Sequence, residues 1–204
     1  MNAGRPKDLE KRKRILEAAK CLFLECGYHG CSMNRIAQKA DVSKLTVYNH
    51  FQDKETLFTS AIAETCDQLL QARPMHLSAG SDFQQALRQA CELSLHIVNL
   101  PEALKVEYLL LELASQRNPL AQQFYNASHE KLSALWESFF AQAAALRFIR
   151  ADAPHRQTLL IFSLLLGLRH HEVLMGIRPV PDQAERAGII QDSIELFLLR
   201  YALP

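Results

Sequence analysis

The sequence predicts an all-α protein: a three-helix module built on a helix-turn-helix, followed by a larger helical body. Three observations lead there. Apolar residues recur at three- and four-residue spacing along most of the 204 residues, which gathers them on one face of successive helices. From Asp82 onward no convincing strand interrupts that pattern. Finally, Ser32 to Lys54, SMNRIAQKADVSKLTVYNHFQDK, holds two short periodic runs, each opened by a serine, around an Ala40-Asp41-Val42 corner. Two serine-capped helices joined by so short a corner are the sequence form of a helix-turn-helix.

Residues 1–8 read as a flexible basic arm, because Gly4-Arg5-Pro6-Lys7 is a poor helix start. Such an arm suits either a DNA minor groove or a solubilising tail. From Asp8 a long helix follows, with Ile15, Leu16, Ala19, Leu22 and Phe23 on its apolar face and Lys11 to Arg14 leading its exposed start. Gly27 should end it, since a residue of positive φ is wanted there. In the next run Met33, Ile36, Ala37 and Ala40 share one buried face, and Val47 and Phe51 do so in the run after it. Asp53 then caps a helix lined by Leu57, Phe58, Ala61, Ile62 and Cys66 and running to about Arg73.

Arg73-Pro74 and the Ser78 to Ser81 loop mark a boundary. The expected organisation is 1–54 arm and helix-turn-helix, 55–74 connecting helix, and 75–204 helical body. Within the body, helices are predicted over 82–100, 102–116 (apolar at Leu104, Tyr108, Leu111 and Leu113), 120–146, 155–176 and 182–203. The run Leu159 to Leu168 is apolar almost all round, and the last helix carries Ile189, Ile190, Ile194, Phe197, Leu198 and Tyr201. Faces that wide need burial on two sides, which a two-fold homodimer or deep burial within one chain would each supply.

Composition and charge narrow the function. The content of 49% hydrophobic and 22% charged residues is that of a globular protein. The net charge of +1 hides an asymmetry: residues 1–60 hold 11 Lys/Arg against 7 Asp/Glu, and residues 61–204 hold 12 against 15. The basic end is therefore the helix-turn-helix end, as a nucleic-acid-facing module requires. Val47 and Phe51 must face inward, so Leu45, Thr46 and Asn49 point outward, led by Lys44 and flanked by Tyr48 and His50. That face carries no carboxylate, so it suits an anion; an ordinary polar corner is the plainer reading.

Five cysteines (Cys21, Cys26, Cys31, Cys66, Cys91) are an odd number with no zinc-type spacing. No secretory signal opens the chain, so free thiols in a cytoplasm are expected. The cluster Cys21, Cys26, Cys31 reads as small core residues or as a redox sensor. The longest apolar run is too short to span a bilayer. His170 and His171 are adjacent and point apart, so they make no metal pair, and no cofactor is implied. No phosphate loop, nucleophile elbow or HExxH motif is present, which argues against an enzyme. Tyr108, Glu112, Trp136 and Phe140, with Arg169 and His170 on the next-to-last helix, are candidates to line a small-molecule pocket. Core packing accounts for the aromatics equally well, and an exposed face or interface contact accounts for Arg169 and His170.

From Ile15 to Phe58, ILEAAKCLFLECGY and SMNRIAQKADVSKLTVYNHFQDKETLF, the chain resembles the tetracycline-repressor (TetR) family of bacterial regulators. Gly27-Tyr28, Ile36-Ala37, Val42-Ser43, Val47-Tyr48, Phe51 and Lys54 carry the likeness, and LELASQRNPLAQQFYNASHEKL resembles the AefR-like subgroup of bodies. The resemblance implies a homodimeric repressor that binds an operator on double-stranded DNA and leaves it when a small-molecule effector occupies the body. It implies that Ser32, Tyr48, His50 and Lys54 hold phosphates, and that Asn34, Arg35, Lys44, Leu45, Thr46 and Asn49 face or approach base edges. Leu45 stands where that family often has a small residue, so its side chain would meet a thymine methyl or hold the helix slightly away.

Overall fold

The structure, a computed structural model, describes residues 4–71 and 75–203 and is all-α. Met1 to Ala3, the Cys66 side chain, Arg73 and Pro74 lie outside the described residues. Helix α1 (Gly4–Gly30) starts earlier than the Gly-Pro composition suggests. Pro6 falls in the first turn, where a missing amide forfeits no hydrogen bond and a fixed φ suits the helix. The residues expected as an arm are thus helical from Gly4. Gly27 has φ 73° and ψ 173°, a conformation that L side chains rarely adopt, and the helix kinks there before one more turn.

Helices α2 (Met33–Lys39) and α3 (Lys44–His50) follow with the expected caps. Ser32 Oγ accepts from the Arg35 amide at 3.3 Å and Ser43 Oγ from the Thr46 amide at 3.1 Å. Each cap is worth about 1 kcal/mol. The corner is a Schellman motif: the Asp41 amide donates to Gln38 O at 3.2 Å and the Val42 amide to Ala37 O at 3.0 Å. Asp41 supplies the positive φ, 52°, that glycine usually supplies, a strain that short polar side chains tolerate. Arg117 and Arg147 end α6 and α7 in the same way, so these helix ends carry no glycine signal in the sequence.

Helix α4 (Lys54–Gln71) is capped by Asp53, whose carboxylate accepts from the Thr56 amide at 2.7 Å. Helices α5 (Phe83–Val98), α6 (Pro101–Ser115) and α7 (Leu120–Ala145) agree with the expected spans within two residues. The expected helix over 155–176 is two helices, α8 (Pro154–Leu165) and α9 (Gly167–Leu174), because Gly167 takes φ 41° at the junction. Asp182 caps α10 (Gln183–Tyr201), accepting from the Glu185 amide at 2.9 Å. No helix among the described residues is long and apolar enough to cross a membrane.

The chain forms two compact units. The first comprises residues 1–69 and 105–129, the second 70–104 and 130–204. In the first, the α1 stripe, Ile36, Val47, Phe51, Leu57 and Phe58 pack with Leu109, Leu110, Leu113, Leu120 and Phe124. Phe58 is its hinge of aromatic contacts, 4.7 Å from Phe23, 5.1 Å from Tyr28 and 4.8 Å from Phe124 between ring centroids. The buried stripe of α6 is therefore Leu109, Leu110 and Leu113, while Tyr108 and Leu111, expected inside, are exposed. The second unit has its own core, with Phe83, Leu87, Trp136, Phe139, Phe140, Ile161, Leu165, Ile190, Ile194 and Phe197.

Candidate nucleic-acid interface

Packing of α3 decides which of its side chains are available. Val47 is fully buried and Phe51 nearly so, under the Arg12 guanidinium at 5.3 Å from its ring. With these two inward, Leu45 is 69% exposed and Tyr48 41%, and Lys44 and Asn49 are exposed beside them. Lys44 Nζ lies 5.8 Å from the Tyr48 ring centroid, which brings a cation and a phenol to one end of the helix. Thr46 is half-buried, and its hydroxyl and the Ser43 hydroxyl are 2.8 Å apart. On α2, Ser32, Asn34 and Arg35 are exposed. Arg35 is held in place, donating from Nη1 to Gly30 O at 2.9 Å and to Cys26 Sγ at 3.5 Å.

Two residues that the family likeness assigns to phosphates have partners within the chain. His50 is 12% exposed and its Nε2 lies 3.2 Å from Asp8 Oδ1, tying the end of α3 to the start of α1. Lys54 Nζ donates to Tyr28 O at 3.0 Å and to Cys31 O at 3.1 Å, and lies 4.2 Å from the Tyr28 ring centroid. The ammonium thus satisfies the carbonyls left open between α1 and α2 while anchoring the first turn of α4. Asp8 and Tyr28 are partners that sequence reasoning did not join to His50 and Lys54. Asp8 is 42 positions from His50 and Tyr28 is 26 from Lys54, too far for any local pattern to join them.

The six ligand candidates divide between the units. Tyr108 and Glu112 are exposed on α6 in the first. In the second, Trp136 and Phe140 are fully buried, and the indole N–H donates to Ser94 Oγ at 2.9 Å. Arg169 donates to both Glu185 oxygens, from Nε at 2.7 Å and Nη2 at 3.1 Å, and to Pro179 O at 2.7 Å. That fork fixes the loop between α9 and α10, and the hydrogen bonds to Glu185 hold its carboxyl below the usual range. His170 is half-buried on α9. A groove of about 480 Å³ lies against α1 instead, lined by Glu10, Lys13, Arg14, Glu17, Lys39 and Asp41, and none of the six lines it.

An outward-turned, cation-led helix without a carboxylate, packed on α1 and α2, defines a helix-turn-helix DNA-binding protein. The model of bacterial regulatory proteins of the tetR family matches residues 15–61, and that of the AefR-like transcriptional repressor C-terminal domain matches residues 85–203. The chain belongs to the TetR family of transcription regulators. It is 30% identical over 184 residues to the HTH-type transcriptional regulator UidR of Escherichia coli, covering 88% of this chain and 87% of UidR. The match to the transcriptional activator FasR of Mycolicibacterium smegmatis is 37% identical but covers 43% of this chain and 39% of FasR. With the repressor KstR of the same organism it is 27% over 66% of this chain and 63% of KstR. The chain therefore aligns with less than two thirds of the length of FasR and KstR.

Solved structures agree over nearly the whole chain. A TetR-family regulator from Mesorhizobium loti superposes with a TM-score of 0.80 at 28% identity, covering 96% of this chain and 98% of that one. The flavonoid-responsive regulator FrrA superposes with a TM-score of 0.79 at 28% identity, covering 94% and 97%. These relatives are transcription regulators and not enzymes.

Proposed function

We propose that the protein is a repressor that binds a pseudo-palindromic operator as a homodimer and is released by a small molecule. The outward face of α3 carries this reading. Lys44, Leu45, Thr46 and Asn49 would meet base edges, with Asn34 and Arg35 approaching from α2, and Ser32 and Tyr48 would meet phosphates. His50 and Lys54 would hold the reading helices in register through Asp8, Tyr28 and Cys31. Phosphate contacts supply most of the affinity and base contacts the sequence choice.

Support for the dimer comes from α8 and α10, where Leu159, Leu196 and Leu199 are exposed, the last at 80%. A two-fold dimer that reads DNA does so with its two reading helices in successive major grooves, about 34–36 Å apart. Duplexes selected from random DNA by the intact protein should therefore carry two inverted half-sites. Asn49→Ala should relax the base choice at one position in each half-site, a contact worth roughly 1–3 kcal/mol. Half-sites in direct repeat, or a mutant that selects the same site as the parent, would sink these roles.

Release by an effector would be a coupling between two sites, in which the effector favours one of two arrangements and DNA the other. Because FrrA is named flavonoid-responsive, flavonoids are the first effectors to titrate against the DNA complex. We expect an aromatic ligand to lower DNA affinity by at least about fivefold, the low end of usual coupling. Were no ligand to act, the alternative reading, a DNA-binding regulator without an effector, would stand. The repressor names of KstR and of the C-terminal family model favour repression, against the activator FasR.

A further inference from the structure

Helices α1 and α2 bring a thiol, an ammonium and a carboxylate into mutual contact, and the proposed DNA contacts use none of the three. Lys39, the last residue of α2, turns back onto α1 and donates from Nζ to Cys21 Sγ at 2.8 Å. Cys21 in turn donates to Glu25 Oε1 at 2.9 Å, and Lys39 Nζ lies 3.4 Å from the same oxygen. The thiol and the ammonium are 18 positions apart in the chain, and the packing of α2 on α1 joins them. Cys21 is half-buried and Lys39 exposed, so a small solute reaches the pair. The other described cysteines are placed differently. Cys26 meets the Arg35 guanidinium at 3.5 Å, a group too delocalised and too firmly charged to act as a nucleophile, and Cys31 and Cys91 are buried.

We propose that Cys21 and Lys39 form an oxidant-made staple, a sulfur–nitrogen bond that ties α1 to α2 and shields the thiol from irreversible oxidation. Hydrogen peroxide is the oxidant. In the first step the Cys21 sulfur takes one peroxide oxygen, the O–O bond breaks, and the other oxygen leaves as water. The thiol is then a sulfenic acid. In the second step Lys39, having given its ammonium proton to water, attacks that sulfur through its nitrogen. The S–N bond forms, the S–O bond breaks, and the oxygen leaves as water with one amine hydrogen. Sulfur loses two electrons in all and one peroxide becomes two waters, the same condensation by which a sulfenic acid captures a backbone nitrogen.

The geometry favours this product over further oxidation. The nitrogen already touches the sulfur, and the flexible four-carbon stem of Lys39 supplies the rest of the approach without moving either helix. The hydrogen bond to Cys21 is the main reason that the Lys39 ammonium is held above its ordinary value. Oxidation draws electron density from that sulfur, which weakens the support and eases loss of the proton. With both helices in place, the Ser32 cap and the Lys54 contacts to Tyr28 and Cys31 survive. A bond closing the stretch from Cys21 to Lys39 also restricts the unfolded chain, so the stapled protein resists unfolding. Retention of DNA binding rests on the proposed reading face, whereas the staple does not.

The test is treatment of the intact protein with hydrogen peroxide, followed by peptide mass mapping, urea unfolding, and binding to a duplex selected from random DNA by the untreated protein. The expected result is a Cys21–Lys39 cross-link lighter than the two residues by two hydrogens, a urea midpoint shifted to higher concentration, and unchanged DNA affinity. Dithiothreitol should reverse the mass change and the midpoint shift. Cys21→Ser should form no cross-link. Lys39→Arg, which keeps the charge and removes the amine, should instead accumulate sulfinic acid at Cys21, and circular dichroism should find both variants folded. Sulfinic acid without a cross-link in the parent, a disulfide through Cys21, or a cross-link that retains an oxygen atom would overturn the proposal. So would a stapled protein that unfolds no later than the parent or loses DNA affinity. If the untreated protein selects no duplex, the DNA-reading assignment fails by itself, and mapping and unfolding still decide the staple.

Discussion

Trp136→Ala should lower the free energy of unfolding by about 3–5 kcal/mol, the usual cost of removing a buried large aromatic. The indole is fully buried, 5.3 Å from Phe140, 5.7 Å from Phe139 and 6.0 Å from Phe162 between ring centroids. Its removal would also strand the Ser94 hydroxyl, which is buried and accepts the indole N–H. Urea unfolding of the variant measures the loss directly. A loss under about 1 kcal/mol, what a side chain facing open space would give, would return Trp136 to the lining of an effector cavity.

Lys54→Ala should cost about 1.5–3 kcal/mol of stability, the worth of hydrogen bonds made by a charged donor. It should also weaken binding to DNA of any sequence, because the start of α4 and the approach to α2 are pinned by this one ammonium. The salt dependence separates two kinds of lysine. One that meets a phosphate contributes roughly 0.9 to the slope of log K against log salt. One that only positions helices lowers affinity and leaves the slope unchanged, and that is the expected outcome. A variant as stable as the parent with a shallower slope would reverse the assignment.

These two residues illustrate how unevenly the site was legible. The caps at Ser32, Ser43 and Asp53 could be read directly, because a cap joins groups three residues apart. So could the inward pair Val47 and Phe51, which helical periodicity alone places opposite Leu45 and Asn49. The turning of His50 onto Asp8 and of Lys54 onto Tyr28 and Cys31 was not legible. A basic side chain has the same composition whether it meets a phosphate or a carbonyl. The buried stripe of α6 was missed for a related reason. Leu104, Leu109, Leu110, Leu111 and Leu113 offer several apolar faces, and only the docking of Phe58 and Phe124 selects one.

By itself the sequence determined the helical class, the helix-turn-helix, its outward face and the family to which it belongs, since periodicity, capping and a registered motif are local properties. Tertiary structure alone decided that residues 105–129 complete the core around α1 to α4, and that Gly167 splits one expected helix in two. It also decided that Asp41, Arg117 and Arg147 do the work of glycine at helix ends. The physical reason is the same in each case. Burial energy is shared among residues far apart in the chain, and it is large enough to hold a left-handed residue or to choose among apolar faces that local preference leaves equal.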